Sequence, residues 1–333
     1  MSEGYRPLVT SDWVRETVPI SGGARQRRVL VVQAREAIRE GSKSFAAASR
    51  LFDRTTRERV WLLYAWCRRC DDLADAQVKG GKMGDQSKAL RRVNAIRALT
   101  ERALTGQFPG DPAFDSFGIV ARECGITPKM AEDVIAGFVL DAEGWRPQTE
   151  ADLMRYCFHV AGAVGVMMAV VMGVSPQDEE TLDRACDLGI AFQLANIARD
   201  VAEDAAAGRC YLPATWLAEA KIPPDKLMHK RYRKKLAGLA ARLAALAKQH
   251  RRAARSGTRK LAFRKRWAVH SAAGIYGAIA TEVARKGEHA WDARVHTSKL
   301  AKAGFVARGF FAALLPVPRL KHPPAWSRQE MVV

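Results

Sequence analysis

YAWCRRCDDLAD, residues Tyr64 to Asp75, decides the reading of this chain: three aspartates close a segment that is otherwise rich in apolar side chains. A second stretch answers it, LGIAFQLANIARDVAED from Leu188 to Asp204, which also ends in acids four apart, Asp200 and Asp204. On a helix, residues three and four apart share a face. Tyr64, Arg68, Asp71 and Asp75 therefore form one stripe with Asp72 beside it, and Gln193, Asn196, Asp200 and Asp204 form another with Arg199 beside it. Carboxylates on helices whose other faces are Leu, Ala, Ile and Phe are costly to keep ionised without a counter-charge. A divalent cation supplies one. Mg²⁺ takes a few carboxylate oxygens, retained waters and phosphate oxygens, so two such patches suit a substrate carrying diphosphate. A single DxxxD is ordinarily a solvated face. Two of them, each in an apolar helix and each with an adjacent arginine, point to a site.

Composition sets the bounds. The chain has 333 residues, 48% of them hydrophobic, enough to bury a substantial core. Long runs lack Gly and Pro and no strand-and-turn alternation is found, so the expected class is all-α. The formal charge of +19 calls for a negative partner: nucleic acid, an anionic membrane surface or a phosphorylated substrate. Nucleic acid is set aside because no recognition motif accompanies the charge. The six cysteines have no framework spacing, which fits a reducing cytosol, and the CxxC at Cys67 and Cys70 has no second pair to make a zinc or redox site. No secretory signal is expected. Val160 to Val174, at fifteen residues, is short for a membrane span and reads as a buried core helix.

Along the chain, residues 1–28 read as a flexible basic leader, residues 29–303 as the folded domain, and residues 304–333 as an apolar and basic tail that contacts a membrane. Gly41 breaks the first helical pattern ahead of SKSF, where Ser42 and Ser44 are placed to cap a helix. The loop KGGKMGDQS, residues 79–87, is basic and glycine-rich beside the first acids and is expected to be mobile. Helices are expected near 88–105, 112–124, 128–141, 151–173 and 179–206. Tyr156, Val160 and Gly162 lie in the apolar helix, whose small residues leave room for a neighbouring helix or a hydrocarbon chain. From Lys226 to Thr281 there is no acid at all, and Leu236, Leu239, Leu243 and Leu246 give this basic stretch a helical apolar face.

Four segments together carry a resemblance: GSKSF at 41–45, YAWCRRCDDLAD at 64–75, YCFHVAGAVG at 156–165 and LGIAFQLANIARDVAEDAAAGRCYLP at 188–213. In this order they resemble the squalene and phytoene synthase family, over about residues 33–302. The resemblance implies an isoprenoid synthase fold, a single helical domain around a central apolar cavity with the two acidic motifs facing each other across its mouth. It implies Mg²⁺, with Mn²⁺ as a substitute, held by Asp71, Asp72, Asp75, Asn196, Asp200 and Asp204, and no NADPH. Arg68, Arg199, Arg209, Tyr276 and Arg294 match positions that bind or steer diphosphate. Ser42, Phe45, Tyr64, Tyr156, Val160, Gly162, Gln193, Asn196 and Tyr211 match substrate-binding positions. The reaction implied is head-to-head condensation of two geranylgeranyl diphosphates to phytoene through prephytoene diphosphate, catalysed with Asp71, Asp75, Asp200, Asp204, Arg68, Arg199 and Tyr276. The alternatives are a squalene or dehydrosqualene synthase acting on farnesyl diphosphate, and a non-catalytic membrane-associated scaffold. A cytoplasmic protein, peripheral on the cytosolic face of an anionic membrane and in contact with other carotenoid-pathway enzymes, is the expected setting. Ala74 stands where the family commonly has Ile or Val, and the basic region after residue 226 is not explained by the resemblance.

Overall fold

The computed structural model describes residues 24–78, 81, 83–317 and 327–331. Most of the expected leader, Lys79, Gly80 and Lys82 of the basic loop, and residues 318–326 and 332–333 of the tail lie outside the described residues. Among the described residues there are thirteen α-helices and no strand, so the all-α expectation is met. Two compact units divide the chain, 1–143 and 144–333.

The first unit holds α1 (Ala24–Gly41), α2 (Lys43–Ser49), α3 (Arg54–Ala74), α4 (Ala89–Leu104), α5 (Pro112–Cys124) and α6 (Pro128–Ala142). Side-chain caps set their starts: Asp53 accepts from the Thr56 amide at 2.9 Å, Asp111 from Ala113 at 2.9 Å, and Thr127 from Met130 at 3.3 Å. Pro112 and Pro128 occupy first helical positions, where a missing N–H costs nothing. Helix α1 begins inside the stretch assigned from sequence to the flexible leader. The reason is Arg27, which bridges Glu58 on α3 at 2.6 Å and Glu123 on α5 at 2.5 Å. Trp66 of α3 is fully buried and stacks on Phe117 of α5 with ring centroids 4.2 Å apart. Burial of a ring of this size contributes about 2–3 kcal/mol before conformational entropy is subtracted.

The second unit holds α7 (Glu150–Cys157), α8 (Ala163–Val171), α9 (Glu179–Ala206), α10 (Ala214–Glu219), α11 (Arg233–Gly257), α12 (Phe263–Lys286) and α13 (Lys299–Leu314). Helix α9 is its spine, flanked by α8, α11 and α12. The single helix expected over 151–173 is interrupted: residues Phe158–Gly162 form a π turn between α7 and α8. Close approach to α9 accompanies this widening. A Cβ on Gly189 would fall against the Ala161 carbonyl, and one on Gly165 would come within 2.5 Å of the Ala185 carbonyl. The stretch Glu150–Val171 is long and apolar enough to cross a membrane, but 67% of its most apolar window is buried inside the protein, as a core helix requires. Below this contact lies a buried ionic cluster. Asp187 of α9 pairs with His250 Nδ1 of α11 at 2.7 Å and stands 3.0 Å from Arg184 Nη1. The arginine contact has ion-pair distance without hydrogen-bond alignment, so both atoms remain without a hydrogen-bond partner.

Candidate active site

The first patch is built on the C-terminal half of α3. Arg68 donates to Asp72 Oδ1 at 2.9 Å and stands 3.8 Å from Asp71, so the guanidinium leans to the side of the stripe expected from helical spacing. Burial works against its charge, but Asp71 and Asp72 outweigh that and hold it above the ordinary arginine range. The Asp71 carboxyl is pushed up to about 7, first by burial and then by Asp75, Asp72 and Asp141, with Arg68 opposing. Nearly half of its side chain is nonetheless open, 46%, so an incoming cation has access to a crowded set of acids. Asp141, at the end of α6, had no signal in the sequence.

Asp75 is the C-cap of α3. The chain after it is fastened by Arg92 of α4, a buried arginine absent from the sequence reading. Its Nε donates to the Ala74 carbonyl at 3.0 Å, Nη1 to the Asp85 carbonyl at 2.9 Å and Nη2 to Gln86 Oε1 at 2.9 Å. Gln86 in turn donates to the Asp75 carbonyl at 3.0 Å. On the other side of the stripe, Ser42 caps α2 by accepting from the Phe45 amide at 3.2 Å, and the Phe45 ring lies 6.2 Å from that of Tyr64. Gly41 makes this approach feasible, since a Cβ there would collide with the Tyr64 hydroxyl. Ser42, Phe45, Tyr64, Arg68, Asp71, Asp72 and Asp75 are thus gathered in the first unit. Cys67 and Cys70 have thiols pushed well up, chiefly by burial, which makes both inert packing residues.

The second patch lies along α9, whose buried length carries one half-buried polar stripe: Gln193, Asn196, Arg199, Asp200 and Asp204. Asp200 is clamped by two arginines. Arg199 reaches it at 2.7 and 2.6 Å, and Arg294 at 3.1 Å through both Nε and Nη2. Arg294 arrives there because Trp291 donates to the Ala198 carbonyl at 3.1 Å and pins the segment before α13 against α9. Tyr276 of α12 stacks on Phe192 at 4.1 Å; burial raises its hydroxyl pKa and Arg199 opposes that rise. Arg209 follows the end of α9, its amide bonded to the Asp204 carbonyl at 2.8 Å. A ladder of rings runs beside it: Tyr211 on Tyr156 at 4.6 Å and Tyr156 on Trp145 at 5.9 Å. Trp145, Phe192 and Trp291 were missed from sequence, where a tryptophan or phenylalanine reads simply as core. Val160 is half-buried, whereas Gly162 is buried and faces Cys186 and Ile190 of α9, a packing contact.

The fit of a divalent cation rests on Asn196. Its Oδ1 is buried without a hydrogen-bond partner, one turn before Asp200, where an oxygen ligand is placed to serve a hard cation. No three acid, His or Cys side chains converge as a closed ligand cage among the described residues. Mg²⁺ does not require one, since waters and phosphate oxygens complete its shell.

Known proteins resemble this chain over most of its length. A protein named phytoene synthase from Pseudescherichia vulneris is 44% identical over 298 residues, covering 87% of this chain and 96% of the relative. A 15-cis-phytoene synthase from Enterobacter agglomerans is 48% identical over 260 residues, 78% of this chain and 87% of the relative. Among solved structures, a dehydrosqualene synthase with bound ligand superposes with a TM-score of 0.76 at 26% identity, covering 86% of this chain and 96% of that one. A squalene synthase from Alicyclobacillus acidocaldarius shares the fold with a TM-score of 0.70 at 23% identity, covering 80% and 97%. The squalene/phytoene synthase profile matches residues 38–301, and the chain belongs to that family.

Proposed function

We propose that this chain joins two geranylgeranyl diphosphates head to head, forming prephytoene diphosphate and then phytoene, without a reductant. The observation that carries the reading is Asp200, clamped by Arg199 and Arg294 beside the orphaned Asn196 carbonyl oxygen, in a chain 40–48% identical to four relatives named phytoene synthase. Diphosphate is the group these residues suit. Arg199 and Arg294 are already charged and oriented, and a departing diphosphate offers them a better set of oxygens than Asp200 alone. Asp71, Asp72, Asp75, Asn196, Asp200 and Asp204 are the residues that would hold Mg²⁺ or Mn²⁺. The metal, when bound, supplies positive charge to the leaving diphosphate. Arg68 keeps Asp72 oriented in the first patch, and Arg92 keeps the chain around Asp75 in place. Apolar walls and the Phe192–Tyr276 and Tyr156–Tyr211 rings shield an allylic cation from water and offer it aromatic faces.

The test is direct: purified protein with geranylgeranyl diphosphate and Mg²⁺ yields phytoene, and chelation stops it. Formation of neither phytoene nor prephytoene diphosphate, with or without lipid, overturns the reading, and product from farnesyl diphosphate alone moves it to the shorter-chain synthases. We also propose that the protein works at the cytosolic face of a membrane, held there by its excess of positive charge. The acid-free run from Lys226 to Thr281 supports this.

A further inference from the structure

We propose that the trench between α11, α12 and α13 is a docking site for anionic phospholipid in a bilayer, its arginines taking the headgroup phosphate and its apolar rim lying among the acyl chains. The proposal deepens the membrane reading above, which rests on charge alone, and it stands apart from the catalytic one.

The trench measures about 800 Å³. Arg251 and Arg255 of α11 and Arg308 of α13 line it, with Phe305, Phe311 and Leu315 as its apolar side. Its one acid is Glu282, which Arg285 takes through two contacts of 2.8 and 2.6 Å. Among the described residues none of the three arginines has an acidic partner, and Arg251 has its pKa lowered by burial and by Arg252. Gly277 lets the Arg251 side chain lie across α12, since a Cβ there would fall 2.9 Å from Nε. Three cations lining one trench, none of them with an acidic partner among the described residues, are a demand for an anion.

The rim says which kind of anion. On α13, Leu300, Gly304, Ala307, Phe311 and Leu314 recur at steps of four and three and form one outward stripe. Leu300 is 85% exposed, Phe311 65% and Leu314 59%, and Leu315 just beyond is 56% exposed. The helix cannot roll to hide them. Its other face is fixed on α12, where Gly309 lies on Ser271, Phe310 meets Trp267 edge-on at 5.2 Å, and Trp267 donates to the Val306 carbonyl at 2.7 Å. Nucleic acid would satisfy the arginines and leave the leucines in water. A second copy across a two-fold axis would cover the stripe but set arginines against arginines. A bilayer with anionic headgroups satisfies both at once.

The test is flotation of the full chain with vesicles of phosphatidylglycerol and phosphatidylcholine, against phosphatidylcholine alone. Three exposed pairs are compared with the parent: Arg255→Glu with Arg308→Glu, Phe311→Ser with Leu314→Ser, and, as an equal charge change on α1, Arg28→Glu with Arg39→Glu. The first two pairs are expected to weaken binding to anionic vesicles by roughly tenfold or more, and the α1 pair by about twofold at most. An equal loss in the α1 pair means diffuse attraction and overturns the site. So does undiminished binding by the serine pair, or no preference for anionic lipid in the parent. Product formation from prenyl diphosphate in detergent is measured alongside. If the trench pairs lose that activity while still floating, or change oligomeric state while still floating, the trench serves a substrate chain or a second copy and the lipid proposal fails. Should a pair not fold by circular dichroism, the single substitutions Arg308→Gln and Phe311→Ser carry the same expectations.

Discussion

At the scale of single residues, Asp200 is the position on which most converges, because two guanidinium groups and the Asn196 oxygen are organised around it. Asp200→Asn keeps the shape and removes the charge. It is expected to lower product formation by about 100-fold or more while leaving helical circular dichroism unchanged. A second residue-scale prediction concerns His270, whose imidazole is pushed down to about 4 by burial and by Arg255 and Arg266. As pH falls, the unfolded chain takes up this proton near 6.5 while the folded chain resists it until about 4, so stability is whole above 6.5 and is lost progressively below it. His270→Gln should flatten the fall in melting temperature between pH 7 and 5; an unchanged slope would assign that fall to other groups. Aspartates and arginines were legible in the sequence because charge inside an apolar helix is conspicuous. Arg92 was not, because its partners are mainly main-chain carbonyls, and those have no signature in a list of side chains.

Helices bring a different kind of legibility. Caps and breakers placed α4, α5, α6 and α9 within a residue or two of their observed ends, since Asp111, Thr127 and the glycine and proline turns announce themselves locally. The π turn escaped, because it goes with close packing on α9, which the residues that widen do not announce. Two substitutions test how the helices of the second unit hold together. Gly189→Ala puts a methyl group against the Ala161 carbonyl and is expected to cost about 1–3 kcal/mol in urea unfolding. Asp187→Ala strands the buried Arg184 and His250 between α9 and α11 and is expected to cost about 3 kcal/mol or more by the same measurement. Equal stability of either variant with the parent would mean that the contact relaxes without strain.

For the whole molecule, the charge of +19 was plain from composition, but its placement was not. Sequence left the amphipathic run after Lys226 open between a face over the core and a membrane surface, and gave membrane contact to a tail from 304. Structure puts the leucines of that run, Leu236, Leu239 and Leu243, in the core and carries α13 straight through residue 303. An amphipathic pattern reports that a face is apolar and is silent on what covers it. Attraction of the whole chain to anionic vesicles should fall steeply between about 0.05 and 0.5 M salt, as the screening length shrinks, and persist in part if α13 inserts. Flotation across that range reads both components.

The π turn at Phe158–Gly162 also bears on how this chain tolerates changes of length. Such a turn carries one residue more than an α turn, so every side chain after it is rotated by roughly 100° from the phase of an unbroken helix. Straightening the turn at constant length would swing Gly165 away from the Ala185 carbonyl and present Val164 in its place, whereas deleting one residue there would straighten the helix and keep Gly165 in phase. The extra residue is therefore a phase shifter: it sets Gly165 and the helix that follows against α9 in a phase that an unbroken helix of the same length would not reach.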